Sequence, residues 1–284
     1  MSAGADTSSK GVAMKARPEA LRMEEMTVEE MREALGRTRT VLLPLGVTEQ
    51  HGYHLPLSTD VHTACQTAWR VSERTGAVVA PALAYSYSGG SLPGTINVAP
   101  QVMALMVSEI IQSLVEQGFR NVLLLLGHAG TENLRALKDV VNLFLARRPE
   151  LTDVVVALAP LREFSPTFVK AFENHDFHAG TIETSLMLYW APEQVRMDRI
   201  VQDEPGVAAT LREHQDNYQQ VERLVDDPHV APRIAQRDDV KVGVMGYPEK
   251  ASAEVGRQVC EEMVSGVVAL IRKIESRRNG RATG

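Results

Sequence analysis

A single α/β domain, built as a three-layer α/β/α sandwich around a mainly parallel sheet, is predicted by three features of the sequence. Short apolar runs that end in glycine alternate with longer amphipathic stretches, the rhythm of strand, loop and helix that builds parallel sheets. The composition is that of an ordinary globular protein, 44% hydrophobic and 23% charged over 284 residues. Six of the eight histidines fall in three short segments, and two of those directly follow apolar runs, where the loops of an open α/β sheet converge on a ligand.

Taken in order, residues 1–22 read as a flexible tail, because the start lacks the apolar core of a signal peptide. Thr27 stands three residues before Glu30, a capping-box spacing that opens a short helix to about Leu35. Thr40 to Leu45, closed by Gly46, is short enough to be a buried strand. Val61 to Thr75 has helical apolar spacing and stops at Gly76, and Ala77 to Leu83 reads as a second buried strand. Tyr85 to Thr95 is dense in Gly and Pro, a structured loop expected near the site. Pro100 to Gln117 carries proline in its first turn and glycine beyond its last, the asymmetry of a helix. Asn121 to Leu126 is the clearest strand, Thr131 to Arg147 a helix, Asp153 to Pro160 another strand and Gly180 to Trp190 another helix. Residues 204–238 break the rhythm. They are polar, with few large apolar residues, and are expected to form a surface helix and a long connection serving as an oligomer arm or a lid. A closing helix runs from Glu249 to Arg277, followed by a basic tail, 278–284. With no internal repeat, residues 23–277 read as one domain.

The composition also excludes several classes. No apolar run approaches the roughly 20 residues of a membrane-spanning helix. Thirty basic against thirty-six acidic residues leave a net charge of −6, which argues against nucleic acid as a partner. Cys65 and Cys260 form no CxxC pair, so any metal is held by His, Asp or Glu, and unpaired thiols suit a cytoplasmic protein. No GxSxG elbow signals a serine hydrolase.

Three constellations carry the chemistry. In the first, Glu49 and His51 leave an extended segment on one face, and Asp60 follows nine residues after His51, just ahead of a helix. Two carboxylates and an imidazole suit Zn²⁺ or Mn²⁺, although Asp60 taken alone also fits a helix N-cap. The second is His128 between Gly127 and Gly130, directly after a strand. In the third, His178 precedes Glu183 by five residues, and Glu183 lies on an apolar helix where an unpaired acid is costly.

The segments Thr48 to Gly52, Leu55 to Asp60, Pro93 to Thr95, Gly127 to Gly130 and His178 to Ser185 resemble, in order, the signature blocks of the creatininase family of binuclear-metal amidohydrolases. Gly243 to Pro248 is similar to that family's late glycine-proline turn. The resemblance implies a homo-oligomer, usually a hexamer, with two divalent ions per chain, Zn and/or Mn. Glu49, Asp60 and His128 would hold one ion; His51, a bridging Asp60 and a further glutamate, Glu183 or Glu132, would hold the other. It further implies His178 as the proton carrier to a leaving nitrogen, with Ser88, Tyr53 and Glu132 near a small-molecule substrate. The implied reaction is attack of metal-activated water on a small cyclic amide or related C–N bond. Ring opening of a cyclic keto-sugar and deformylation of a formamide are the alternatives, and a metal-binding scaffold subunit is the non-enzymatic one. Creatinine itself is not expected, because Phe172 to Phe177 stands where creatininase packs its substrate with tryptophans.

Overall fold

In the computed structural model, which describes residues 19–281, five strands form one wholly parallel sheet with helices on both faces. The elements in chain order are β1 (Leu21–Arg22), α1 (Val28–Arg37), β2 (Thr40–Leu45), α2 (Thr59–Thr75), β3 (Val78–Val79), α3 (Pro100–Glu116), β4 (Asn121–Leu126), α4 (Thr131–Ala146), β5 (Val155–Pro160), α5 (Pro166–Glu173), α6 (Thr181–Trp190), α7 (Pro205–Glu213), β6 (Gln219–Glu222), β7 (Arg233–Gln236) and α8 (Ala253–Arg281). The sheet order is β1-β3-β2-β4-β5.

Alternation along the central strands divides the core in two. Leu42, Leu123 and Leu125 face α2, α5, α6 and α8, whereas Val41, Leu43, Val122 and Leu124 face α1, α3 and α4. Every residue of β2 and β4 is therefore buried, and all but Thr40 and Asn121 at their starts are apolar, as a parallel sheet covered on two sides requires. The predicted capping box holds: Glu30 N–H donates to Thr27 Oγ1 and Thr27 N–H to the Glu30 carboxylate.

Four expectations need correction. Leu21 and Arg22, placed in the tail, pair with Val78 and Val79 as an edge strand. The strand expected over Ala77 to Leu83 shortens to two residues, because Pro81 has no N–H for the ladder; the chain rejoins the sheet only as a bridge between Leu83 and Leu45. Residues 204–238 form α7 and an antiparallel hairpin, β6 with β7, instead of one helix and a long connection. Finally, α8 continues to Arg281, past the expected start of the basic tail. Residues 1–18 and 282–284, the remainder of the two expected tails, lie outside the described residues.

Two glycines at the strand ends position the site. A Cβ on Gly127 would collide with the Asp60 carbonyl oxygen, and one on Gly46 would come within 2.6 Å of the Val61 nitrogen. Without side chains there, the first turn of α2 rests directly on the ends of β2 and β4 and carries Asp60 over the sheet edge. Asp176 does the same for α6. Its carboxylate accepts from Thr181 N–H at 3.0 Å and Tyr247 N–H at 3.2 Å, packed between Gly180 and Gly246, and so holds the helix that presents Glu183.

Candidate metal centre

The carboxyl ends of β2 and β4, the first turn of α2 and the first turn of α6 bring together Glu49, His51 and Asp60, all buried, with His128 and Glu183, partly buried. The two oxygens of Asp60 face opposite ways. Oδ1 lies 3.4 Å from His51 Nε2, which is itself 3.7 Å from Glu183 Oε2. Oδ2 lies 3.3 Å from His128 Nδ1, which is 3.3 Å from Glu49 Oε2. Two groups of donors therefore share Asp60, one with Glu49 and His128, the other with His51 and Glu183; in each, the ligand atoms lie within 4.8 Å of one another.

The surroundings aim these donors. His51 Nδ1 is bonded to its near neighbour, the Glu49 carbonyl oxygen, at 3.1 Å, which turns Nε2 toward Asp60. Ser88 Oγ donates to Glu49 Oε1 at 2.6 Å, and Glu183 Oε2 accepts from Ala179 N–H at 2.6 Å. Glu49 Oε2, His51 Nε2 and Asp60 Oδ2 remain buried with no hydrogen-bond partner among the described residues. Buried polar atoms left unpaired are costly, and three of them distributed over the two donor groups fit divalent cations.

Electrostatics point the same way. Burial disfavours the charged form of His51, but the carboxylates of Asp60, Glu183 and Glu49 outweigh it and raise its pKa to about 10. His128 is likewise raised well above its ordinary value, against burial, by Glu49 and Asp60. Asp60 is lowered in spite of burial by the two imidazoles, and burial pushes Glu183 up to about 7. Protons on His51 and His128 thus hold the acids together where metal cations would serve better.

His178 stacks on His51 with ring centroids 4.3 Å apart, and its Nε2 lies 2.8 Å from the Gln50 carbonyl oxygen and 3.2 Å from Gln50 Nε2. Burial and the neighbouring His51 lower its pKa, which favours the neutral ring. It also lies within ligand range of Glu49 and His51.

The other expected contact residues are placed unequally. Ser88 lines the cavity but is engaged by Glu49 and by Gly90 N–H. Tyr53 does not line the cavity and is 56% exposed, and Glu132 lines a separate surface groove between α3 and α4. Cys65 is not poised for nucleophilic work, since burial pushes its thiol up to about 11.

Several cavity residues escaped the sequence reading. Gln50 lies inside the first motif, between two expected ligands. Arg162 and Phe168 come from the segment after β5, an edge strand with no histidine directly after it to mark its carboxyl end, and they join Phe172 and Phe177, which the resemblance had already placed near the substrate. Tyr218 and Gln236 come from the hairpin: Tyr218 Oη donates to Ser88 O at 2.8 Å, and Gln236 accepts from Ser91 N–H. The hairpin base therefore walls the cavity through the Ser88 loop. No helix among the described residues is long and apolar enough to cross a membrane.

The family model for creatininase, described as creatinine amidohydrolase, matches residues 24–271. The mycofactocin precursor peptide peptidase of Mycolicibacterium smegmatis is 33% identical over 86% of this chain and 88% of its own length. The creatinine amidohydrolase of Pseudomonas putida is 30% identical over 82% of this chain and 88% of its own. A zinc–zinc form of a creatininase variant superimposes with a TM-score of 0.70 at 27% identity, over 89% of this chain and 98% of that one.

Proposed function

The chain belongs to the creatininase family, whose members are metal-dependent amidohydrolases acting on C–N bonds, and from that premise we propose that it hydrolyses an amide at a two-cation centre bridged by Asp60. The observation that carries this reading is the division of Asp60's two oxygens between two donor groups. In it, Glu49, Asp60 and His128 would hold one cation, and His51, Asp60 and Glu183 would hold the other. Glu183 is preferred over Glu132 because its carboxylate stands beside His51, whereas Glu132 lies outside the cavity. The zinc–zinc relative supports two cations, and Zn or Mn suits a site of imidazoles and carboxylates.

Held there, divalent cations supply Lewis acidity toward a substrate carbonyl and toward water. The chain's own residues do the rest. Ser88 occupies one oxygen of Glu49 and leaves the other for a cation. His178, whose neutral form is favoured and which at Nε2 can accept from the Gln50 side chain or donate to the Gln50 carbonyl, carries a proton to the departing nitrogen. Leu161, Phe172, Phe177 and Met245 give the cavity an apolar wall that limits water.

The substrate is proposed to be a small amide, cyclic or open. An open peptide bond gains support from the relative described as a peptidase. Self-assembly into an oligomer, a hexamer in the family, is supported by an apolar face of Val102, Leu105 and Leu143 exposed on α3 and α4. Two free cysteines accord with the cytoplasm.

The test is an assay of cyclic amides, formamides and short peptides with the metal-loaded protein, repeated after thorough chelation. Activity that disappears on chelation and returns with Zn²⁺ or Mn²⁺ is expected. Activity that survives complete metal removal would sink the two-cation reading.

A further inference from the structure

Arg162 is the single lysine or arginine among the described residues lining the cavity. It follows β5 in the one-turn helix Leu161–Phe164, so its backbone sits at the same edge of the sheet as the metal-binding cluster. The guanidinium lies over the ring of Phe172, 4.5 Å from the centroid. Its one side-chain hydrogen bond among the described residues runs from Nη1 to Gln215 Oε1 at 3.2 Å, and no carboxylate there lies within ion-pairing distance. The nearby acid, Asp216, accepts from Thr131 Oγ1 at 3.1 Å instead. Burial lowers the pKa of Arg162 more than Glu163 and Asp216 raise it, so the charge is desolvated without being neutralised. A half-buried guanidinium whose remaining donors open into the cavity is available to an anion that enters it.

We propose that Arg162 is the anchor for a substrate carboxylate, so that the enzyme acts on amides carrying a free carboxylate beside an apolar group. The planar fork of a guanidinium matches a carboxylate with two parallel hydrogen bonds. Phe168, Phe172 and Phe177 line the same cavity and receive the apolar group. This specificity rests on the amide-hydrolysing reading above. Two sources share the chemistry, a small N-acyl amino acid and the carboxyl-terminal residue of a peptide.

The experiment measures equilibrium binding to metal-loaded wild type and to Arg162→Gln. The probes are N-acetylphenylalanine against its primary amide, and an N-acetylated tripeptide ending in phenylalanine against its carboxyl-terminal amide. Wild type is expected to bind the acid of at least one pair about 10- to 100-fold more tightly than the amide, the scale of one charged hydrogen-bonded pair. Arg162→Gln is expected to bring that ratio close to one while metal content is unchanged. The pair whose preference collapses names the source. Equal affinity for acid and amide in both wild-type pairs would overturn the proposal. So would a preference that persists in Arg162→Gln, which would place the carboxylate on the cations, and so would an equal loss for acid and amide, which marks a packing role. Binding is read whether or not a bond is cut, so absent turnover with the preference intact would reject the hydrolytic reading and leave the anchor standing.

Discussion

Asp60→Ala is expected to reduce hydrolysis to background and to leave the purified chain without stoichiometric divalent cation, measured by elemental analysis beside wild type. Each Asp60 oxygen faces a different donor group, so one substitution removes a ligand from both cations. A helix-capping role predicts something much smaller, a loss of about 1 kcal/mol in stability with cations retained. The structure gives that role no support: Asp60 is the second residue of α2, and the N-cap is Ser58. Asp60→Asn separates the ideas further, because it keeps the volume and one carbonyl oxygen but removes the charge. Retention of two cations by Asp60→Ala would refute the bridge.

His178→Ala is expected to lower kcat by about 10²- to 10⁴-fold, the range of a positioned acid–base group, while cation content stays at the wild-type level. Stacked on His51 and poised at Gln50, the ring touches the cluster without being needed to complete either Asp60-centred group. Its lowered pKa sets the pH dependence. Neutral imidazole is present above that pKa and lost as pH falls through it, so the acid limb of the wild-type profile should lie below the ordinary histidine value and vanish in the variant. Loss of a cation in His178→Ala would instead make His178 a ligand alongside Glu49 and His51. Unchanged kcat would remove it from the chemistry.

The sheet and the cluster were legible in the sequence for the same reason. β2 and β4 are continuous apolar runs because both faces are buried, and each ends in a glycine that lets α2 approach. Scarce histidines immediately after such runs therefore stand at the sheet edge, as His51 and His128 do. Less legible was everything set by tertiary pairing. Leu21 and Arg22 have no strand pattern of their own and become one only because Val78 and Val79 offer a free edge. The hairpin hides in a polar segment, since both its strands are largely exposed; Val221 and Ile234 pair across it in a register that composition does not announce. Arg162 was missed because a lone arginine after a strand carries no motif. Its meaning comes from Phe172 and from the absence of a close carboxylate among the described residues, both matters of three-dimensional neighbourhood.

A centre for two divalent cations would be built from Glu49, His51, Asp60, His128 and Glu183. Its most direct test is calorimetric titration of the metal-free protein with Zn²⁺ or Mn²⁺ at pH 7.5, in buffers of different ionisation enthalpy. His51, raised to about 10, and His128, also raised, both carry protons at that pH that a cation must displace. Two cations per chain and release of about two protons are expected, with affinity that strengthens as pH rises toward the raised His51 value. Saturation at one cation per chain, or uptake without proton release, would contradict that expectation.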